Sequence, residues 1–84
     1  MSNDVRILVL QRGWVVVGRY TTDGDECVLT DASVIRRWGT TNGLGEIAAN
    51  GPTKDTVLDK CGEVRAHKLS VVLQLKCNAE RWSA

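Results

Sequence analysis

Two neighbouring arginines and a tryptophan are the residues of this chain whose types best fit ligand chemistry. Arg36 and Arg37 precede Trp38, and a loop bounded by glycines follows over residues 39–43. A guanidinium group presents a planar fork that matches phosphate, and an indole ring offers a face to a base. A predicted helix start after the loop adds free backbone N–H groups and a field that favours an anion. This pattern indicates a site for a phosphate-bearing ligand such as a nucleotide.

The loop adds Asn42 and Gly43 to this candidate ligand-binding site, and Arg19 with Tyr20 form a second candidate near a hairpin. A simpler interpretation stays open, in which Trp38 fills the core while both arginines are solvated. Alternation in the strand that ends at Trp38 does not determine its register, and a slip of one residue turns the indole to the other face. The assignment of the site depends on that register.

Residues able to catalyse a reaction are few. His67 is the only imidazole, and its place on the polar face of a short strand is typical of a solvated side chain. Cys27, Cys61 and Cys77 lie in no nucleophile motif and have no CxxC spacing. We therefore expect a protein that is not an enzyme and that has neither a metal nor a cofactor, with reduced thiols.

Composition limits the class of partner. The 84 residues fit one domain, and eleven basic against ten acidic residues leave a net charge of +1. A dedicated duplex-DNA binder usually carries a clear basic excess, so duplex DNA is not the expected partner. The N-terminal residues lack the pattern of a signal peptide, and no apolar run approaches the length of a membrane span. We expect no membrane association and a cytoplasmic location.

Short runs of aliphatic and β-branched residues predict five strands. They cover residues 5–10, 14–21, 26–30 with an interrupted extension over 34–38, 63–68, and 70–77. Asp23-Gly24 is a hairpin turn signal between the second and third strands, and Gly18 indicates a bulge or a sharp bend. A helix over 44–49 ends at Asn50-Gly51-Pro52, and a polar connection follows over 53–62.

These elements favour a mostly β domain over residues 1–84, with residues 78–84 as a tail. A small five-stranded antiparallel barrel of the SH3-like or Sm-like type, with one short helix, is the first choice. The alternative is an open antiparallel sheet with the helix packed on one face. Trp14 is expected in the core. Trp82 either packs across a subunit interface of a homo-oligomer or folds back over the mouth of the barrel.

Several stretches between Trp14 and Gly51 share a pattern with known sequences. They are Val17-Gly18, then residues 27–32 (CVLTDA), then 35–38 (IRRW) with a following glycine, and finally 44–51 (LGEIAANG). In these the chain resembles a group of small phage and prophage proteins of unknown function. The resemblance implies a phage accessory protein in the cytoplasm of a bacterial host and brings no catalytic residues. The similarity to Sm-like barrels is architectural only.

The expected function is therefore that of an oligomeric phage accessory protein that sequesters a phosphate-bearing ligand or binds a host protein. One alternative is a structural or assembly protein of the phage particle, and another is a small hydrolase or transferase. The enzyme alternative requires His67 or a cysteine to lie in a pocket.

Overall fold

The computed structural model describes residues 4–39 and 43–82, which form one open antiparallel sheet and two short helices. In chain order the elements are β1 (Val5–Leu10), β2 (Val15–Asp23), β3 (Glu26–Arg37), α1 (Leu44–Asn50), β4 (Val57–His67), β5 (Val71–Lys76) and α2 (Ala79–Trp82), with 3₁₀ turns at Gln11–Gly13 and Lys68–Ser70. The strand order is β4-β3-β2-β1-β5. The mostly β fold with five antiparallel strands is confirmed. Because β4 and β5 lie at opposite ends of the sheet, it takes the open form rather than a closed barrel.

The β2–β3 hairpin forms around the predicted turn, where Asp23 pairs with Glu26 and Gly24 has a φ of 60°. The register shifts between β2 and β3 at Gly18, opposite Asp31, which itself has a φ of 49°. A Cβ on Gly18 would lie 3.0 Å from the Cβ of Leu29. The irregular pairing predicted at Gly18 is thus present, but the extra residue belongs to β3, where Asp31 and Ala32 together face Gly18. β3 runs through this bulge as one strand instead of being interrupted after residue 30.

Each face of the sheet carries its own apolar cluster because side chains alternate along a strand. The first cluster lies between the sheet and α1, and its buried members are Val5, Ile7, Val15, Val17, Ile35, Leu44, Ile47, Ala48 and Cys77. The second cluster has Leu8, Val16, Cys27, Leu29 and Ala32 as its buried members. Every residue of the second cluster, including the half-buried ones packed against it, belongs to a strand. The sheet therefore curves around this cluster and covers it without a helix.

Two strands differ from the sequence-based prediction. β4 begins at Val57, so the second half of the predicted polar connection is strand and pairs with β3. In β5 a register shift against β1 breaks the expected alternation, and Val71 packs against the second cluster while Leu75 packs against the first. The expectation that Trp14 lies in the core is wrong, since its side chain is 59% exposed.

The C-terminal residues fold back over the helix face. Residues 79–82 form α2, and the indole Nε1 of Trp82 donates a hydrogen bond to the carbonyl oxygen of Ile47 at 3.0 Å. Trp82 is half-buried against the first cluster. The tail folds back as in one of the two alternatives for this tryptophan, but it covers α1 and the first cluster instead of the mouth of a barrel. None of the helices within the described ranges has the length and hydropathy needed to cross a bilayer.

The buried thiol of Cys77 makes stability sensitive to alkaline pH. Burial raises its pKa from 9.0 to about 11. Unfolded chains release this proton at lower pH than native ones, so the free energy of unfolding should fall as pH rises from about 9 to about 11. We expect the free energy of unfolding, measured with urea, to fall less between neutral pH and about pH 10 in Cys77→Ala than in the wild type.

The exposed thiol of Cys61 supplies the control for this experiment, because Cys61→Ala removes a thiol without changing the core. Its stability should keep the wild-type pH dependence. The pKa of Tyr20 is also raised, by its hydrogen bond with Cys27 and by burial, and this residue is retained in all three proteins. An unchanged pH dependence in Cys77→Ala would contradict the assignment.

Candidate functional site

A cleft of about 570 Å³ lies on the helix face of the sheet, between the strands and the folded-back C-terminal residues. Parts of β1, β2, β3, β4 and α2 line it, together with Pro52. We call it the α2 cleft. Its volume falls within the range of about 300–1,000 Å³ that is usual for small-molecule sites. Gly18, Ala32 and Gly62, with small or absent side chains, also contribute to its wall.

Cationic side chains dominate the charge of the α2 cleft. Arg19, Lys60 and Arg81 line it, against the single carboxylate of Asp31, which leaves a local excess of two positive charges (3 − 1). The ion pair between Arg19 and Asp31 is loose, with 3.8 Å from Nε to Oδ2, and the Asp31 side chain is 83% exposed. Within residues 4–39 and 43–82, neither Lys60 nor Arg81 forms an ion pair. The cleft therefore has cationic groups left for an anion.

The rest of the lining is apolar. Val17 and Leu58 come from the sheet, and Ala79 and Trp82 come from α2. The hydrogen bond from Trp82 to Ile47 holds the indole in one orientation. An apolar wall with a few polar groups is the usual composition of a small-molecule site, where the polar groups determine orientation.

Two local features bring these residues together. The bulge at Gly18 places Arg19 of β2 and Asp31 of β3 side by side, and β4 adds Lys60, which pairs with Ser33. The tail is anchored on α1 because the backbone N–H of Asn78 donates to the carbonyl oxygen of Ala48 at 2.8 Å. Charged residues distant in sequence thereby line one cleft.

Gly51 allows the close approach of α2. It has a φ of 83°, and a Cβ there would lie 2.6 Å from the carbonyl oxygen of Arg81. We expect Gly51→Ala to push α2 away and to expose Trp82, which a red shift of the tryptophan fluorescence and a lower melting temperature would report. Because ψ at Gly51 is 175°, this backbone conformation is nearly restricted to glycine, and its strain adds about 1–3 kcal/mol to the cost of the clash.

Gly45 in α1 is the matched control for this substitution. A Cβ at Gly45 meets nothing within 4 Å, and alanine is the better helix former by roughly 1 kcal/mol. Gly45→Ala should therefore keep or raise the melting temperature and leave the fluorescence unchanged. Equal behaviour of the two variants would show that the contact between Gly51 and α2 does not hold the tail.

The arginine–tryptophan segment singled out by sequence lies outside the α2 cleft. Arg36 is exposed and pairs with Asp59, with 2.9 Å from Nε to Oδ2. Arg37 is also exposed, and Trp38 is 43% exposed, so it does not fill the core. Gly43 stands before α1 with a φ of 81°, and its backbone lies near the Trp38 ring.

Asn42, the remaining residue of that predicted loop site, lies outside the described residues. The first residue of α1 is Leu44, and the side chain of the residue before it, Gly43, is absent and cannot cap the helix. Trp38 and Gly43 are therefore brought together, while Arg36 is engaged by a carboxylate of β4.

Arg19 and Tyr20, the second predicted pair, are separated by the sheet. Arg19 lines the α2 cleft, whereas Tyr20 packs against the second cluster on the opposite face. The Tyr20 hydroxyl is 3.6 Å from the Sγ of Cys27, and the Arg6 guanidinium lies 3.9 Å from the centre of its ring. Tyr20 thus has a packing role, and only Arg19 joins the cleft.

Sequence reasoning missed Lys60, Arg81 and Trp82 as members of one site. Lys60 was assigned to a polar connection, and Arg81 and Trp82 to a tail. The one available signal was a tryptophan within a polar C-terminal stretch.

His67 is exposed, and its Nδ1 accepts a hydrogen bond from the backbone N–H of Leu69 at 3.1 Å. In the part of the chain that the structure describes, no three potential metal ligands converge.

The site was also compared with known proteins through the sequence of the chain. Neither models of known protein families nor curated protein sequences match it. The chemistry of the α2 cleft is therefore the basis on which we infer function.

Proposed function

We propose that this protein is a small binding domain that holds a phosphate-bearing ligand, of the nucleotide class, in the α2 cleft. The observation that carries the proposal is the convergence of Arg19, Lys60 and Arg81 on a cleft with an apolar wall. Phosphate requires cationic donors, and a base or similar planar group requires an apolar surface. The α2 cleft offers both within about 570 Å³.

The three cationic groups differ in what they offer a phosphate. Arg81 and Arg19 present planar forks that donate two parallel hydrogen bonds, whereas the ammonium of Lys60 acts as a compact charge. Each charge-assisted hydrogen bond contributes about 1.5–3 kcal/mol. Binding of an anion would draw Arg19 away from its loose partner Asp31 at little cost, because that ion pair is exposed.

The apolar wall is suited to the remainder of the ligand. Leu58 and Trp82 line the cleft from the sheet and from α2, respectively. Aromatic surfaces stack on nucleic-acid bases with about 1–3 kcal/mol for each base. A nucleoside phosphate would thus place its phosphate at the cationic side chains and its base against the apolar wall.

The cellular role that we propose is sequestration of such a ligand by a phage accessory protein in the cytoplasm of its bacterial host. The resemblance of residues 14–51 to small phage proteins supports this setting, and the cleft supports the ligand class. A protein that sequesters a ligand needs affinity and does not need a chemical step.

Isothermal titration with inorganic phosphate, a nucleoside, and its mono- and diphosphates tests the proposal. We expect the nucleotides to bind at least tenfold more tightly than either the nucleoside or phosphate alone, and the affinity to fall with added salt. Native mass spectrometry of protein purified gently from bacteria should show retained mass of the same class. A nucleoside that binds as tightly as its phosphates would overturn the assignment of the cationic side chains, and no binding by any compound would overturn the function.

A further inference from the structure

A buried serine lies in the wall of the α2 cleft. Ser33 of β3 is 9% exposed, and it is the one buried polar side chain among residues 4–39 and 43–82. It pairs with Val17 of β2, and cross-strand partners point to the same face of a sheet. Because Val17 belongs to the first cluster, the Ser33 side chain also points to the helix face, where it lines the cleft.

Among the described residues, the Ser33 hydroxyl has no hydrogen-bond partner. No side-chain oxygen or nitrogen in those ranges is both fully buried and without a partner, so the Ser33 Oγ keeps access to solvent through the cleft. Polar side-chain atoms in protein interiors are almost always hydrogen-bonded. The hydroxyl is therefore available to a ligand that fills the cleft.

The carboxylate of Asp31 is the other polar group of the cleft that phosphate binding leaves unexplained. It lines the cleft two residues before Ser33, and its ion pair with Arg19 is loose. A carboxylate repels a phosphate, so a ligand made only of phosphate gains nothing from it. A carboxylate does accept hydrogen bonds from hydroxyl groups, and a hydroxyl both donates and accepts them. Ser33 and Asp31 together therefore match a ligand that carries hydroxyl groups besides its phosphate.

The order of side chains along β3 parallels the order of the groups in a nucleotide. At one end, Asp31 lies beside the cationic group of Arg19. At the other end, Ile35 pairs with Leu58, which belongs to the apolar wall of the cleft. Ser33 stands between these ends, two residues along the strand from each. Because ribose lies between the phosphate and the base of a nucleotide, Ser33 stands where the ribose would lie.

We propose that Ser33 and Asp31 bind the ribose hydroxyls of the ligand, which makes the α2 cleft selective for ribonucleotides. This inference rests on the proposed function, since it assigns a further part of the same ligand. The Ser33 Oγ forms a hydrogen bond with one ribose hydroxyl. When the phosphate draws Arg19 away, the carboxylate of Asp31 loses its loose partner and accepts a hydrogen bond from the ribose. The phosphate itself is bound by the three cationic side chains of the cleft.

Isothermal titration with the common ribonucleoside diphosphates and their 2′,3′-dideoxy counterparts tests the proposal. In the wild type we expect the ribo form to bind at least about tenfold more tightly, because the dideoxy form leaves both protein groups unpaired. Ser33→Ala should reduce this ratio at least about threefold by weakening only the ribo form. The variant breaks no side-chain hydrogen bond among the described residues, so it should fold. The matched control is Thr22→Val, which removes a hydroxyl at an exposed position of β2 outside the cleft and should keep the wild-type ratio.

Asp31→Asn separates recognition of the hydroxyls from the effect of charge, and asparagine tolerates the φ of 49° at this position. It should also reduce the ratio, because an amide oxygen is a weaker acceptor than a carboxylate, while the affinity for inorganic phosphate stays level or rises. Equal binding of the ribo and dideoxy forms by the wild type would overturn this inference and leave the proposed function standing, whereas no binding by any nucleotide would overturn both. If Ser33→Ala weakens the ribo form, the dideoxy form and inorganic phosphate alike, Ser33 binds the phosphate and the inference is wrong.

Discussion

We expect the double substitution Lys60→Glu and Arg81→Glu to weaken nucleotide binding by at least a hundredfold. Each substitution removes a charge-assisted hydrogen bond of about 1.5–3 kcal/mol and adds repulsion between like charges. Both side chains line the α2 cleft, and neither forms an ion pair within the described residues, so the substitutions break no ion pair there. Titration with a nucleoside diphosphate measures the affinity, and circular dichroism confirms that the variant is folded.

The matched control is Arg36→Glu together with Arg37→Glu, which changes the net charge by the same amount outside the cleft. Its only known cost is the exposed ion pair with Asp59, and such pairs contribute about 0–1 kcal/mol. Affinity should stay within about threefold of the wild type, a change of less than 1 kcal/mol. The reverse result, with binding lost in the control and kept in the cleft variant, would assign the ligand to the arginine–tryptophan segment and reject the α2 cleft.

Truncation of Ile47 is expected to cause a large loss of stability. Its side chain is fully buried in the first cluster, and its carbonyl oxygen accepts hydrogen bonds from both the Gly51 N–H and the Trp82 indole. Ile47→Ala leaves a cavity and should cost about 2–5 kcal/mol. In a domain of this size that corresponds to a fall in melting temperature of roughly 10–30 °C.

Two further variants establish that the loss comes from the cavity. Ile47→Val removes one methylene group and should cost about 0.5–1.5 kcal/mol. Lys54→Ala changes an exposed side chain in the connection after α1 and should stay within about 0.5 kcal/mol of the wild type. If Ile47→Ala unfolds at the same temperature as Lys54→Ala, α1 does not pack on the sheet as the structure shows.

The local signals in the sequence were sufficient for the hairpin, the bulge and the end of the helix. Asp23-Gly24 forms a turn because glycine adopts the positive φ that the turn requires, and Gly51 ends α1 for the same reason. Gly18 allows the bulge because a side chain there would press on Leu29. The two glycine turns have causes within a few residues, so they can be inferred from sequence, whereas the contact at Gly18 involves the neighbouring strand and only the glycine itself was the sequence signal.

The extent of β4 depends on a distant partner and was missed for that reason. Residues 57–62 combine aspartate, lysine and glycine, types that occur rarely in strands, and they become strand because β3 is long enough to pair with them. The open sheet, rather than the closed barrel, likewise reflects pairing between strands. Local propensity cannot show which edges meet.

The candidate site shows most clearly the difference between what local sequence predicts and what long-range contacts decide. Arginine and tryptophan were identified from sequence as residue types suited to a phosphate-bearing ligand, but the first set chosen, within residues 36–43, was contiguous in the chain. The tertiary structure instead collects Arg19, Lys60 and Arg81 from a bulge, an edge strand and a folded-back tail. Their composition was visible in the sequence, whereas their convergence depends on the bend at Gly18 and on the contact between Gly51 and α2. Sequence alone determined most of the elements and the residue types available to them, whereas long-range packing decided the extent of β4 and which charged side chains share a cleft.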